Sequence, residues 1–318
     1  MPNYTIAAYN IRWMNNLFQN NAVTEASEDR ANAIAAIINR VDPDVLAISE
    51  AANADAEHQD FINTFLAGGY QVVSGASRGG QNLVFYIRDP FQLVEVDNVD
   101  NVYEPWNVDI DEDKVEERIR WDRKPLEAVF SIGPDANAQR IRLINVHSKS
   151  KGIFDVVDLA RFQEISYGNR KKLIAQATHL RERLDDLLAE ANPLPTIVLG
   201  DMNDGPGLDA YEQRLGKSFV ETAMGSVFNP DNIFRNALQH IPDELRWTAD
   251  FPDPIVNNPR GFNHRVWIDH ILVSPDLADP QGAIRLVADS GAIDENDNTA
   301  ELASDHFAVS CVLTDDPP

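Results

Sequence analysis

The chain has 318 residues, 43% hydrophobic and 25% charged, which is ordinary for a folded soluble protein and enough to bury a large core. No apolar run reaches the length of a membrane span, and the opening MPNYTIAAYN lacks the basic start and apolar centre of an export signal, so the expectation is a cytoplasmic protein or a mature form already trimmed. A lone cysteine, Cys311, excludes an intrachain disulfide, and 27 basic against 51 acidic residues give a net charge of −24, a field that repels nucleic acid and draws cations.

In chain order, Tyr4 to Tyr9 reads as a strand that ends at Asn10. Ser27 can cap a helix over Glu28 to Arg40, whose Ala33, Ile34, Ile37 and Ile38 form one apolar stripe. Asp42-Pro43-Asp44 breaks that helix, and Val45 to Ser49 form a short buried strand leading to Glu50. A second helix, Ala56 to Leu66, stops at Gly68-Gly69, and strands follow at Tyr70 to Val73, Leu83 to Ile87, Leu126 to Ile132 and Ile141 to Val146. A long helix from about Ala160 to Glu190 is closed by Asn192-Pro193. After a strand into Asp201, the Pro- and Asn-rich region from Gly205 to Phe262 reads as loops with short helices. Val266 to Val273 and Phe307 to Leu313 are the last strands. Alternating helices and strands predict mixed α/β layers, and the polar residues of interest lie on strands from both halves, which favours one domain over 1–318.

Charge is unevenly spread. Arg118 to Arg183 carry 14 basic and 7 acidic residues, so the remainder holds −31. That segment suits either a groove for a polyanion or solvated helix faces, and charge alone weighs the two equally.

The most informative stretch is PTIVLGDMND, Pro195 to Asp204. A fully apolar run ends at Gly200 and delivers Asp201 and Asn203 two positions apart, hence on one face of an extended chain, although an Asx turn would read the same way. Asn10, Glu50 and His147 also stand at the carboxyl ends of apolar runs. With Asp269 and the triplet Ser304-Asp305-His306 they supply more carboxylates, amides and imidazoles than a core has use for, since buried charges without partners are costly. The chemistry they suit is hydrolysis of a phosphate ester. Mg²⁺ takes oxygen ligands, so Glu50 and Asp305 are the first candidates for it, while isolated Cys311 and irregularly spaced histidines disfavour a zinc site. A carboxylate or imidazole must orient the attacking water, and Asn203, His147, His306, Arg123 and Lys149 can meet charge on the phosphoryl oxygens.

This ordered set resembles the endonuclease/exonuclease/phosphatase superfamily: YNIRW with Asn10, LAISE with Glu50, DRKPL with Arg123, INVHSKSKG with His147, VLGDMND with Asp201 and Asn203, WIDHILVS with Asp269, and SDHFAV with Asp305 and His306. The resemblance spans residues 4 to 313. It implies a four-layer αββα sandwich, two packed β-sheets flanked by helices, with a Mg²⁺-dependent site at one edge that Mn²⁺ would also serve. Carried over, Glu50 is similar to the main metal ligand, with Asn10 and Asp305 near the cation. Asp201 resembles the residue that orients or deprotonates water, and Asn203 the one that binds the scissile phosphate. His306, braced by Asp269, resembles a histidine acting as base or electrostatic stabiliser. His147 is similar to the second histidine of the DNase I and sphingomyelinase branches, and Arg123 matches a phosphate-contacting arginine. Asn10-Ile11-Arg12 is closer to the DNase I branch than to the abasic-site branch, and KSKG is similar to bacterial nucleases of the group. Where the DNase I branch carries a glutamate to support the second histidine, this chain has Gln81 and Asn82.

The resemblance implies a nuclease of low sequence specificity acting on nucleic acid, with a phosphatase or lipid phosphodiesterase as the alternative that the −31 balance supports. Other residues read as structural. His270 points away from Asp269, His58, His179, His240 and His264 are expected on the surface or in loops, and Trp13, Trp106 and Trp121 are expected in the core more often than stacked on a base. Asp109 to Glu117 reads as a solvated loop without the glycine and spacing of a calcium site.

Overall fold

The computed structural model describes residues 3–76, 80–96, 102–134, 138–153, 161–251, 264–294 and 302–316. Apolar residues run almost unbroken through its central strands, because those strands are covered on both faces. In the Asn3–Asn10 strand, Ile6 and Ala8 face one core while Ala7 and Tyr9 face another.

One sheet runs, by neighbours, Arg285–Leu286, Val309–Thr314, Asn3–Asn10, Val45–Ala51, Asn82–Ile87 and Gln71–Ser74, with Ala292–Ile293 also paired to Val309–Thr314. The other runs Arg235–Asn236, Asp269–Val273, Thr196–Asp201, Gln139–His147, Leu126–Ile132 and Phe91–Val96. Their inner faces interdigitate: Ile6, Val45, Phe85 and Ile87 meet Phe130, Ile141, Leu143, Ile197 and Leu199 in one buried cluster. Helices α1 (Glu28–Val41) and α2 (Asp55–Phe65) cover the outer face of the first sheet through Ile34, Ile38, Phe61 and Ile62. Helix α3 (Phe162–Leu188) covers the second through Leu173, Ala177, Leu180 and Leu184. The layers are therefore α, β, β, α, as expected.

Two parallel pairs set the position of the site. The Asn3–Asn10 strand pairs in parallel with Val45–Ala51, Asn10 opposite Ser49, and Gln139–His147 pairs in parallel with Thr196–Asp201, His147 opposite Asp201. Parallel strands end on the same rim, so the carboxyl ends of both pairs come out together. Buried Asn145 ties the sheets across the core, its Nδ2 donating to the carbonyls of Ile48 and Val84 at 3.0 and 3.3 Å.

Several boundaries differ from the sequence reading. Ser27 makes no side-chain cap to α1; its hydroxyl bonds Thr24 and the Asn16 carbonyl instead. The expected strand Val266 to Val273 is broken, with His264–Val266 in a small hairpin against Ala249–Phe251 and only Asp269–Val273 in the sheet. Phe91–Val96 is an edge strand that the sequence reading does not include; it is exposed from Gln92 onward, and its alternation breaks at the adjacent Leu93 and Val94.

Candidate active site

Asn10 stands at the centre of the rim, 1% exposed, where the first strand leaves its sheet. Its Nδ2 donates to Asp201 Oδ2 at 2.9 Å, lies 3.4 Å from Glu50 Oε1, and approaches His306 Nε2 at 3.5 Å. One amide thus touches residues from both sheets and from the segment that opens the last strand. Ser304 locks that segment by donating to the Asn10 carbonyl at 2.7 Å while accepting the Arg12 amide.

Asp201 and Asp269 are opposed in adjacent antiparallel strands, and both are buried. Asp269 Oδ2 holds His306 Nδ1 at 2.8 Å. Thr248 Oγ1 accepts the Asp269 amide at 2.9 Å, and Ala249 bridges to His306, so the small hairpin fixes the dyad from outside the sheet. Burial pulls the imidazole of His306 down, but the carboxylates of Asp269 and Asp201 outweigh it and raise it to about 10. His306 is therefore cationic at neutral pH. Burial pushes Asp201 up to about 7, with Asp269 adding to the rise and His306 opposing it. The Asp201 carboxyl is thus poised to exchange a proton near neutrality.

His147 Nε2 lies 3.4 Å from Asp201 Oδ2, and its buried Nδ1 has no partner. Burial, then Arg123 and His306, hold this imidazole well below its usual value, so it is neutral. Gln81, which stands where a supporting glutamate would be sought, turns elsewhere: its Nε2 donates to Glu50 Oε2, and its Oε1 accepts Arg123 at 2.7 Å. Arg123 also donates to the Ser148 carbonyl at 3.1 Å. A continuous chain of contacts therefore runs from Glu50 through Gln81 to Arg123.

Asn203 does not simply continue the face of Asp201. The backbone turns after the strand, the Asn203 amide donates to Asp201 Oδ1 at 2.8 Å, and the side chain donates to the Ser148 carbonyl at 3.2 Å. The Asx turn and the site are the same feature. Asn203, Glu50 and Trp13 all have left-handed backbone, with φ of 50°, 56° and 49°, a conformation that costs about 1–2 kcal/mol for a residue with a side chain. Three such residues lie on one rim, which is where local strain is characteristically stored.

Glu50 accepts the Trp13 amide at 2.9 Å, and Arg12 pairs with Asp305 at 3.6 Å, so the two expected metal-binding carboxylates flank one turn. Asn10 Oδ1 is buried without a hydrogen-bond partner. An orphaned carbonyl oxygen beside the Glu50 carboxylate fits a hard cation. Asp201, Asp269 and His306 form a second, buried set, with ligand atoms within 4.8 Å of one another, that can hold a divalent ion. In that set the Asp269–His306 hydrogen bond already engages two of the atoms. Lys149 is half-buried with no ion-pair partner among the described residues, its amide donating to Gln176.

His270 faces away from Asp269 as expected, with its ring bonded to Asn236 and the Asp204 carbonyl, each at 2.8 Å. His58 is fully buried rather than on the surface, bonded to Tyr86 and the Ala52 carbonyl. His179 packs against Tyr103 and Trp106 and accepts the Trp121 indole. Trp121 is core, but Trp13 is 47% exposed, its ring beside Gly80 at the mouth of the site. The acids Asp109, Asp111 and Asp113 approach one another closely, yet Asp109 accepts the amides of Asp113 and Lys114, and Asp111 is held by Lys171 and Tyr167. They close their own turn.

The sequence model of the Endonuclease/Exonuclease/phosphatase family matches residues 7–306, with the elements that build this rim inside it. The chain belongs to that family. Among solved structures, it resembles truncated TDP2 from Caenorhabditis elegans (14% identity, TM-score 0.54, covering 98% of this chain and 97% of that one). D. rerio TDP2 complexed with single strand DNA product matches at 16% identity and TM-score 0.54, covering 98% and 99%. The human Nocturnin catalytic domain with bound sulfate anion matches at 15% and 0.54, covering 98% and 94%. No curated protein matches the sequence significantly. The family membership and the buried acid and imidazole cluster make this a metal-dependent phosphoesterase in general class. The expected lean toward the DNase I branch gains nothing from these structures, whose likeness is one of fold.

Proposed function

We propose that the chain is a Mg²⁺-dependent phosphodiesterase, a nuclease of low sequence specificity whose centre is carried on one domain spanning residues 1–318. The observation that carries the reading is the convergence on the Asn10 amide of Asp201, Glu50 and His306, three groups of different chemistry from strand ends far apart in sequence. Glu50, the Asn10 carbonyl oxygen and Asp305 would hold the cation. When bound, it polarises a phosphoryl oxygen and offsets charge as the ester is displaced, and Mn²⁺ is expected to substitute.

Asp201 takes the proton of the attacking water as the new P–O bond forms and the ester P–O bond breaks. Its raised value near 7 suits that transfer at physiological pH. His306, kept cationic by Asp269, acts as electrostatic stabiliser rather than base. Arg123 and Asn203 meet the phosphate, with Lys149 beside them. His147, neutral and unsupported at Nδ1, serves the leaving oxygen as a hydrogen-bond donor and not as a cationic acid. Because a neighbour of like fold was seen with a single strand DNA product, a single strand is the first substrate to test.

The experiment compares single-stranded and plasmid DNA, RNA, sphingomyelin and inositol phosphates with Mg²⁺ or Mn²⁺. DNA hydrolysis that drops about 10³-fold or more in Asp201→Ala and His306→Ala is expected. Hydrolysis confined to lipid or inositol esters would overturn the nuclease assignment, and unchanged rates in both variants would overturn the proposed centre.

A further inference from the structure

Just before Arg123 in the chain stands the hairpin formed by Trp106–Val108 and Glu117–Ile119. Arg118 and Arg120 are two positions apart and both exposed, while Ile119 between them packs against the cluster around Ile174 of α3. Together with Pro105 and Lys172 of α3 they line a cavity of about 480 Å³. A second cavity of about 350 Å³ shares Pro105 and Arg120 with it and extends along Asp122 and Lys124.

The charges on this trough are unusual for so acidic a protein. Asp122 stands among them, 2.7 Å from Lys172 and 3.7 Å from Arg120, and Glu104, on the wall of the second cavity, is 2.6 Å from Lys124. Arg118 and Lys149 have no ion-pair partner among the described residues. Lys171, next along the helix, is by contrast held by Asp111 and Glu117 and contributes nothing to the trough. Gln176 of α3 joins the trough to the segment that follows His147, its Oε1 accepting the Lys149 amide at 2.8 Å and its Nε2 donating to the Arg120 carbonyl at 3.2 Å. Arg120 and Lys172 share the one carboxylate of Asp122, so with Arg118 the three cations outnumber it, and a bound anion offsets the excess.

We propose that Arg118, Arg120 and Lys172 form a second phosphate subsite, which takes a phosphodiester flanking the scissile one in a polynucleotide strand. This rests on the phosphodiesterase reading above. It names what that reading leaves open: a substrate carrying more than one phosphate and long enough to reach from Arg123 to Arg118. Backbone charge, not base identity, is what these side chains recognise.

The test is steady-state hydrolysis of a single-stranded oligonucleotide and of bis(p-nitrophenyl) phosphate, which has no flanking phosphate. The proteins compared are the wild type, Arg118→Ala, Arg120→Ala, Lys172→Ala and the triple variant. The triple variant is expected to raise KM for the oligonucleotide tenfold or more, with turnover of the small ester within twofold of wild type. The slope of log(kcat/KM) against log[salt] should fall by about 0.7 for each phosphate contact removed. An equal loss on both substrates, or no loss on the oligonucleotide, overturns the subsite. Should the wild type cleave the small ester but no polynucleotide, the nuclease reading fails by itself. Fluorescence anisotropy of a labelled strand on Asp201→Asn then decides the subsite separately. Binding weakened by the triple substitution sustains it, and binding unchanged or absent overturns it.

Discussion

Gln81 shows how a single side chain redirects the chemistry around it. The resemblance to the DNase I branch looks for a glutamate here to support His147; the neutral amide instead joins Glu50 to Arg123. Groups that orient a metal ligand typically affect metal affinity 10–100-fold. Gln81→Ala is therefore expected to raise the Mg²⁺ concentration for half-maximal activity by roughly tenfold, with the rate at saturating metal less affected, as a metal titration of kcat would show. His147→Ala should cost less than His306→Ala, since Asp269 holds the Nδ1 of His306 at 2.8 Å while the Nδ1 of His147 has no partner; rates measured side by side check this ordering. Much of the centre was legible at this scale. Asn10, Glu50, His147 and Asp201 could be picked out because each terminates an apolar run, and a strand end is where a polar side chain can leave the core. The role of Gln81 was not legible, because its partner is chosen by a turn of the backbone around Glu50 that no local pattern announces. Trp13, for which the core was the default reading, is exposed on a left-handed backbone.

The strand pair Gln139–His147 and Thr196–Asp201 depends on Gly200. Its φ of +123° is accessible to glycine, and a Cβ there would overlap the Val146 carbonyl and crowd Asn145 Oδ1. Gly200→Ala is expected to destabilise the protein by roughly 3 kcal/mol or more, and to disturb Asp201 one residue on. Urea unfolding read by fluorescence measures the loss; a change below about 0.5 kcal/mol would contradict the packing described. The positions of the buried central strands were readable from their apolar runs because those strands are covered on both faces. Phe91–Val96, wetted along most of its length, carries no such imprint. The break before Asp269 was hidden too, since Trp267-Ile268 is as apolar as the strand it precedes, and tertiary contacts with Thr248 decide where the ladder starts.

Taken whole, the molecule stores histidines in opposite protonation states. His270 is buried and bonded as a neutral ring; burial lowers it to about 4, against 6.5 when exposed. Its folded value is depressed, so the unfolded chain binds more protons between those two values. The stability it contributes is complete above pH 6.5 and is lost as pH falls toward 4, by up to roughly 3 kcal/mol. His58 runs in the same direction. His306 runs in the other, its contribution being present below 6.5 and lost as pH rises through about 10. Denaturant unfolding at pH 7.5 and 4.5 should show the acid loss, and His270→Gln should narrow the difference between the two conditions.

Asn10 reaches across to Asp201 and approaches His306, 296 positions away in sequence, which Asp269 holds. A chain in which either sheet has come apart loses that shared amide, so the centre can form only once both sheets are folded against each other.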